Sequence, residues 1–255
     1  MTSEFFKGVK QWPMEGEGGS GKLPCFYYDN TAFTAIYTAS TAKVRNLLPK
    51  SQMNPVELMP GKCLVSFTAF EYRETDIDPY NEFSVAFLIT YNKPQIPGIT
   101  AGWQMMRRHF HAYVWKLPVT TEIARYGGVE LYGYPKFIAD IDFIPEESSI
   151  SCELSEGGNH ILTLKGKVLP TGRGKVTRYT TYSVLEDIPL VANVFINPVE
   201  HVEVRDKAAA TLELGPEHDI ANALREIDLS PAPITYQYSP KTEAILFGGR
   251  NLMDD

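Results

Sequence analysis

Cysteine is scarce in this chain. There are three in 255 residues, Cys25, Cys63 and Cys152, far apart and odd in number. They form no C-x-x-C pair and no zinc spacing, which excludes a disulfide scaffold and a cysteine-built zinc module. Buried thiols in a reducing, cytoplasmic compartment are the expectation. Long apolar runs are also missing. The strongest, Phe83 to Tyr91, is interrupted by Ser84 and Thr90 and is too short to cross a bilayer. The first residues carry Glu4, Lys7, Lys10, Glu15 and Glu17 with no apolar segment, so no signal peptide is expected. Positive charge is in deficit. Lys plus Arg number 24 against 31 Asp plus Glu, a net charge of −7. That argues against nonspecific binding to nucleic acid or to an anionic membrane.

Several signatures are absent as well. No G-x-S-x-G elbow supports a serine hydrolase, and no G-x-G-x-x-G follows a strand. Gly21-Lys22 is followed by Leu23, so the glycine-rich run Glu15 to Gly21 is not a phosphate loop. What remains is an ordinary globular composition, 44% hydrophobic and 22% charged, which excludes disorder as the main state.

The pattern is mostly strand. Ala32 to Tyr37 alternates, with Phe33, Ala35 and Tyr37 on one face. Leu64–Phe70, Ser84–Tyr91, His109–Trp115, Phe137–Phe143, Ile161–Val168, Val176–Val184, Ala192–Val204 and Ile234–Phe247 also read as strands. Helical signals are few. Ser40 opens a short helix closed by Pro49. Glu122 to Tyr126 is helical and stopped by Gly127-Gly128. A late helix after Pro216 puts Ile220, Ala223, Leu224 and Ile227 on one face. The expected fold is α+β and mostly antiparallel, a single curled-sheet or β-barrel domain with a few helices. Residues 1–24 read as a flexible arm and 25–255 as one domain.

Two features carry candidate chemistry. His109 and His111 share one strand face, as in some metal-binding barrels, but no carboxylate follows at ligand spacing. Packing, rather than a metal, is the expectation. The second feature is Gly127 to Phe137, where Lys136 follows Tyr134-Pro135. Proline presets the chain direction at the lysine. A lysine aimed into an apolar cavity is shifted toward its neutral amine by desolvation, and that amine can attack a ketone.

This stretch resembles the signature of the acetoacetate decarboxylase family, roughly Gly-Arg-Glu-x-x-Gly-aromatic-Pro-Lys-Lys/Arg. The resemblance extends from about residue 25 to 250. Asp78-Pro79-Tyr80-Asn81-Glu82 is similar to the family's Pro-Tyr-x-Glu element. Phe33 to Pro49 is similar to its N-terminal strand and short helix. The resemblance implies that Lys136 forms a Schiff base and that Glu82 is the pocket glutamate, with Tyr134 and Pro135 as the positioning pair. Acetoacetate decarboxylase is itself the standard example of such an activated lysine. The departures are specific. Phe137 stands in place of the second lysine and Val129 in place of the motif arginine. A family arginine falls on Asn30, and a second glutamate falls near Thr68. A cation about 6 Å away is worth roughly two pKa units, so its loss leaves burial to activate Lys136. Arg107, Arg108, Arg125 or Arg178 could replace the missing carboxylate partner.

Three functions follow from the resemblance and the residues. The first is a lyase that decarboxylates a small β-keto acid through Lys136, with Phe137, Asn30 and Thr68 in its pocket. The second is a Schiff-base aldolase or dehydratase acting on a 2-oxo acid. The third is a non-catalytic barrel that binds a small ligand. An iminium supplies its own electron sink, so no cofactor and no metal are implied. A keto-acid substrate and a homo-oligomer are implied as partners.

Overall fold

The computed structural model describes residues 3–16 and 19–254. A 3₁₀ turn (Glu4–Phe6) precedes a hairpin of β1 (Trp12–Gly16) and β2 (Gly19–Leu23). Then come β3 (Cys25–Ser40), α1 (Thr41–Arg45), β4 (Met53–Pro55), β5 (Glu57–Met59), β6 (Lys62–Thr75) and β7 (Tyr80–Tyr91). They are followed by α2 (Ile99–Arg107), β8 (His109–Lys116), α3 (Glu122–Tyr132), β9 (Asp140–Pro145), β10 (Ser149–Glu156) and β11 (Asn159–Lys167). The chain ends with β12 (Thr177–Leu185), β13 (Ile188–Val204), β14 (Ala210–Leu214), α4 (Asp219–Glu226), β15 (Thr235–Leu246) and β16 (Arg250–Asn251).

Strands β7-β8-β12-β13-β15-β3-β6 lie side by side, and β6 pairs back onto β7, closing a seven-stranded barrel. Its pairings are antiparallel except β8 with β12. A second sheet, β14-β11-β10-β9, packs on the outside. The largest core lies between the two. Phe33, Phe67, Phe83 and Phe87 from the barrel wall share one cluster with Leu154 and Leu164 from the sheet and Leu224 from α4.

The period-two alternation does more than build strands. On β3, Phe33, Ala35 and Tyr37 face this core, while Ala32, Thr34 and Ile36 face the barrel interior. On β6, Val65 and Phe67 point out while Ser66 and Thr68 point in. On β7, Phe83, Val85 and Phe87 point out while Ser84 and Ala86 point in. Along these stretches the aromatic residues therefore go to the wall's outer face and mostly smaller ones to the lumen. A small barrel is filled by side chains when its inward residues are large. Here they leave a cavity of about 410 Å³.

The late helix forms as its spacing predicts, with Ile220, Leu224 and Ile227 buried. His218 caps it, its Nδ1 accepting from the Ile220 N–H at 3.1 Å. Two expectations are corrected. Gly127-Gly128 does not stop α3, which runs to Tyr132 and ends at Gly133 in the left-handed region, φ 59°. The predicted strand Phe137–Phe143 begins only at Asp140. Helix α2 is absent from the sequence reading although Ile99, Trp103 and Met106 recur at helical spacing, and that apolar stripe is exposed.

The N-terminal stretch, expected as a flexible arm, is paired and anchored. Phe6 is buried and stacks on Phe26 at 4.8 Å. The Asp76 carboxylate accepts from the Phe26 N–H at 2.8 Å, the Tyr28 hydroxyl at 2.9 Å, and the Gln11 amide. Aromatic burial and this buried acceptor offset the ordering cost of the glycines. Glu17 and Gly18 of the glycine-rich run lie outside the described residues. The three cysteines are free and buried. Among the described residues no helix is long and apolar enough to cross a membrane.

Candidate active site

The end of α3 aims one lysine into the barrel. Gly133 caps the helix, its N–H donating to Val129 O at 2.8 Å while the Tyr134 N–H donates to Gly128 O at 3.0 Å. The Gly133 bond is the usual left-handed helix ending. The Lys136 N–H then donates to Tyr134 O at 2.7 Å, a three-residue turn centred on Pro135, whose fixed φ suits it. Lys136 enters the barrel with its side chain 6% exposed. Gly128 makes room for it: a Cβ there would collide with Lys136 Cδ and Cε.

Glu82 meets the lysine from an inward position on β7. Lys136 Nζ donates to Glu82 Oε2 at 2.7 Å. The Tyr72 hydroxyl donates to Glu82 Oε1 at 3.2 Å. The Tyr80 ring lies 5.4 Å from Nζ, and its hydroxyl is 3.3 Å from that of Tyr27. Burial first, and the charge of Glu82 next, push the phenols of Tyr72 and Tyr80 well above their usual range. Both therefore stay protonated, and Tyr72 serves Glu82 as a donor. Tyr134 stacks on Tyr132 at 5.2 Å and shares a 2.7 Å hydrogen bond with Thr181.

Two cavities meet at this point. The lumen reaches Lys136 from inside the barrel. A smaller, mostly apolar annex of about 110 Å³ reaches it from beneath the β1–β2 hairpin, bounded by Cys25, Tyr80, Gly128 and Tyr132. Lys136, Tyr27 and Tyr134 line both. A buried ion pair is a poor source of stability, because desolvation cancels most of its attraction. Set between two cavities, it has a chemical use: the carboxylate can take the proton that the amine must lose before it attacks a carbonyl.

The other predicted site residues divide. Asn30 lines the lumen and is tied to β15, donating to Thr242 O at 3.0 Å and accepting from the Thr242 hydroxyl. Thr68 lines it too, bonded to Thr34 at 3.0 Å. Phe137 lines neither cavity and packs against the main core. Of the four arginines, Arg108 alone lines the lumen, at the end away from Lys136. Arg107 lies over Trp103, Arg125 pairs with Glu122, and Arg178 binds Asn193. His109 and His111 pack 4.5 Å apart on the outer face, bonded to Thr180 and Tyr182. Burial lowers His111 to about 4. Among the described residues no cluster of three or more His, Cys, Asp or Glu could hold a metal ion.

Sequence reasoning missed Tyr27, Tyr72 and Gly128. Tyr72 was detectable in principle, since a strand pairing of β6 with β7 sets it opposite Tyr80. Gly128 was visible but read as punctuation.

Comparison with known proteins bears on the fold and the family. No curated protein matches the chain. Solved structures do. Acetoacetate decarboxylase from Legionella pneumophila superposes with a TM-score of 0.65 at 15% identity, covering 98% of this chain and 93% of that one. The enduracididine biosynthesis enzyme MppR, complexed with the condensation product of pyruvate and imidazole 4-carboxaldehyde, gives 0.63 at 12% identity, covering 89% and 88%. An acetoacetate decarboxylase-like enzyme from Sphingomonas wittichii gives 0.55 at 16%, covering 89% and 92%. At such identities the likeness is one of fold. The sequence profile of acetoacetate decarboxylase, however, matches residues 12–185, more than half of the chain and the whole stretch that builds the lysine–glutamate pair. The chain belongs to the acetoacetate decarboxylase family.

Proposed function

We propose that the protein is a Schiff-base lyase that decarboxylates a β-keto acid, with Lys136 as nucleophile and Glu82 as its proton acceptor. The observation that carries this reading is the 2.7 Å Nζ–Oε2 contact, buried at the junction of two cavities. Glu82 takes a proton from the Lys136 ammonium. The neutral amine adds to the keto carbon and forms the C–N bond, its proton passing to the oxygen to give a carbinolamine. Glu82 returns its proton to that hydroxyl, water leaves, and an iminium remains. The bond to the carboxylate then breaks, its electron pair moving into the C=N⁺ group, which releases carbon dioxide and leaves an enamine. A solvent proton on the enamine carbon and addition of water release the ketone. One proton is consumed per turnover.

A second reading, aldol addition followed by dehydration, has a specific observation in its favour. Two cavities open onto one lysine, which suits two reactants better than one, and a fold relative holds a condensation product of pyruvate. Phe137 also leaves Lys136 without the adjacent cation that the family pattern carries. Borohydride reduction in the presence of acetoacetate or pyruvate tests both readings. An adduct on the Lys136 peptide, absent in Lys136→Ala, supports imine chemistry. Carbon dioxide release from acetoacetate then selects decarboxylation, and its absence with a pyruvate adduct selects the aldol. No adduct with any keto acid leaves the binding barrel.

A further inference from the structure

The lumen is larger than a four-carbon keto acid requires. Glu82 and Leu88 lie six residues apart on β7 and both line it. At about 3.3 Å per residue and a strand tilt near 40°, that is roughly 15 Å along the barrel axis. Between them the inward positions of β7 are Ser84 and Ala86, faced by Thr34, Ser66 and Thr68. The resulting volume of about 410 Å³ falls in the range that holds a drug-sized ligand. A reactant confined to Lys136 would leave most of it unfilled.

The far end is cationic. Arg108 and Lys175 line it, both exposed, and neither forms an ion pair among the described residues. The acid on this rim is Glu203, engaged by Gln237 Nε2 at 3.0 Å. His201, bonded to Ser239 at 2.8 Å, is held toward its neutral form by burial, against the charge of Glu203 and with Arg108 adding to the effect. The rim therefore carries a net positive charge. Arg108 also occupies an unusual place. It is the C-cap of α2 in the left-handed region, φ 48°, where glycine is the common residue. Its backbone is held there by its own N–H on Met105 O at 3.1 Å and by the Arg178 N–H on its carbonyl at 2.9 Å.

We infer that the substrate is an extended keto compound whose carbonyl meets Lys136, whose body lies along the lumen, and whose far terminus is a carboxylate held by Arg108 and Lys175. This rests on the imine reading and names the substrate class for it. A small keto acid such as acetoacetate then fills only the reactive end.

Methyl ketones separate tail recognition from the reaction itself. Lys136 is trapped with borohydride over a concentration series of 11-oxododecanoate, long enough to span the lumen, its methyl ester and 2-dodecanone. The free acid is expected to half-saturate at a concentration roughly tenfold or more below that of the ester, the worth of a charge-assisted contact. In the Arg108→Gln/Lys175→Gln protein the ratio of ester to acid is expected to fall to about one, while Arg108→Lys keeps most of the preference. Circular dichroism confirms folding of each variant. Equal half-saturation in the unaltered protein, or a ratio unchanged in the double variant, overturns the inference. If no ketone gives an adduct, the imine reading fails instead, and calorimetry on Lys136→Met decides the tail site. Tighter binding of the acid than of the ester upholds it, and equal or undetectable binding overturns it.

Discussion

Gly128 and Lys136 are matched in space: the missing side chain of one is the passage for the other's stem. Helix propensity alone favours alanine over glycine by about 1 kcal/mol in a helix interior. Keeping glycine inside α3 therefore has a local cost that the lysine's path offsets. Gly128→Ala is expected to leave the melting temperature within a few degrees of the unaltered protein while lowering the rate of imine trapping roughly 100-fold, because displacement of a reacting group by about 1 Å costs that much. A variant that traps keto acids at the normal rate would show that Lys136 reaches its carbonyl by another path.

Glu82 is expected to matter for chemistry more than for binding. Glu82→Gln keeps the shape and can still bond the Tyr72 hydroxyl, but it cannot take a proton from Lys136. General-base assistance is worth about 10²–10⁴-fold, so kcat should fall by that order with KM changed little. The check is steady-state kinetics on the substrate that proves reactive. A loss in KM alone would make Glu82 a binding group.

The parts of this molecule readable in advance were those set by short stretches of chain. Tyr134-Pro135-Lys136 is a local turn, so its meaning survives without the rest of the fold. The alternation around Phe33, Ala35 and Tyr37 gave the strand and its two faces. It could not say that their face looks onto a second sheet while Ala32 and Thr34 look into a cavity, because that depends on barrel closure. The resemblance puts Phe137 in the pocket because it stands where the family pattern carries its second lysine. Neighbours in extended chain point to opposite sides, and Phe137 goes to the core. Arg108 and Lys175 belong to segments joined only by the parallel pairing of β8 with β12, far apart in sequence. Nothing local marks them as neighbours.

The two sides of the barrel wall should respond oppositely to changes in size. Phe67→Ala on the outer face empties a fully buried position and is expected to cost about 3–5 kcal/mol, or roughly 6–20 °C in melting temperature. Ala86→Leu, one strand away, puts methyl groups into open lumen rather than packed core, and the melting temperature should hold or rise. The same change should reduce kcat/KM for any substrate that extends past Ser84. Thermal denaturation of the two variants side by side tests the assignment of faces. Destabilisation of similar size at both positions would mean that the lumen is filled.

His111 sets a pH dependence of stability. Its folded-state value of about 4, caused chiefly by burial, lies below the ordinary value near 6.5 in an unfolded chain. Between these values the unfolded chain binds the proton and the folded one does not. Stability from this group is thus complete above about pH 6.5 and is lost progressively as the pH falls toward 4. Asparagine can keep the hydrogen bond to Tyr182 without titrating. Comparing melting temperatures at pH 7 and pH 4.5, the unaltered protein should lose more than His111→Asn does. Equal losses would mean that the imidazole is protonated without cost.

The hairpin over the annex is pinned by one carboxylate, and a thiol beneath it reports on the pin. Asp76 has a side chain 2% exposed and accepts from Gln11, Lys22, Phe26 and Tyr28. Asp76→Ala strands those donors, and each buried one left unsatisfied costs about 1–3 kcal/mol, which favours release of the hairpin. Cys25 lines the annex below. Burial first, and then the charge of Asp76, push its thiol up to about 12. The substitution reduces both effects, so Cys25 should become more exposed and more readily ionised. A disulfide reagent under native conditions should then modify Cys25 quickly in Asp76→Ala and slowly in the unaltered protein. Cys63 and Cys152, each 0% exposed, serve as protected controls in the same peptide map. If Cys25 stays as slow as those two, the hairpin is held by Phe6 and its ring contacts rather than by Asp76.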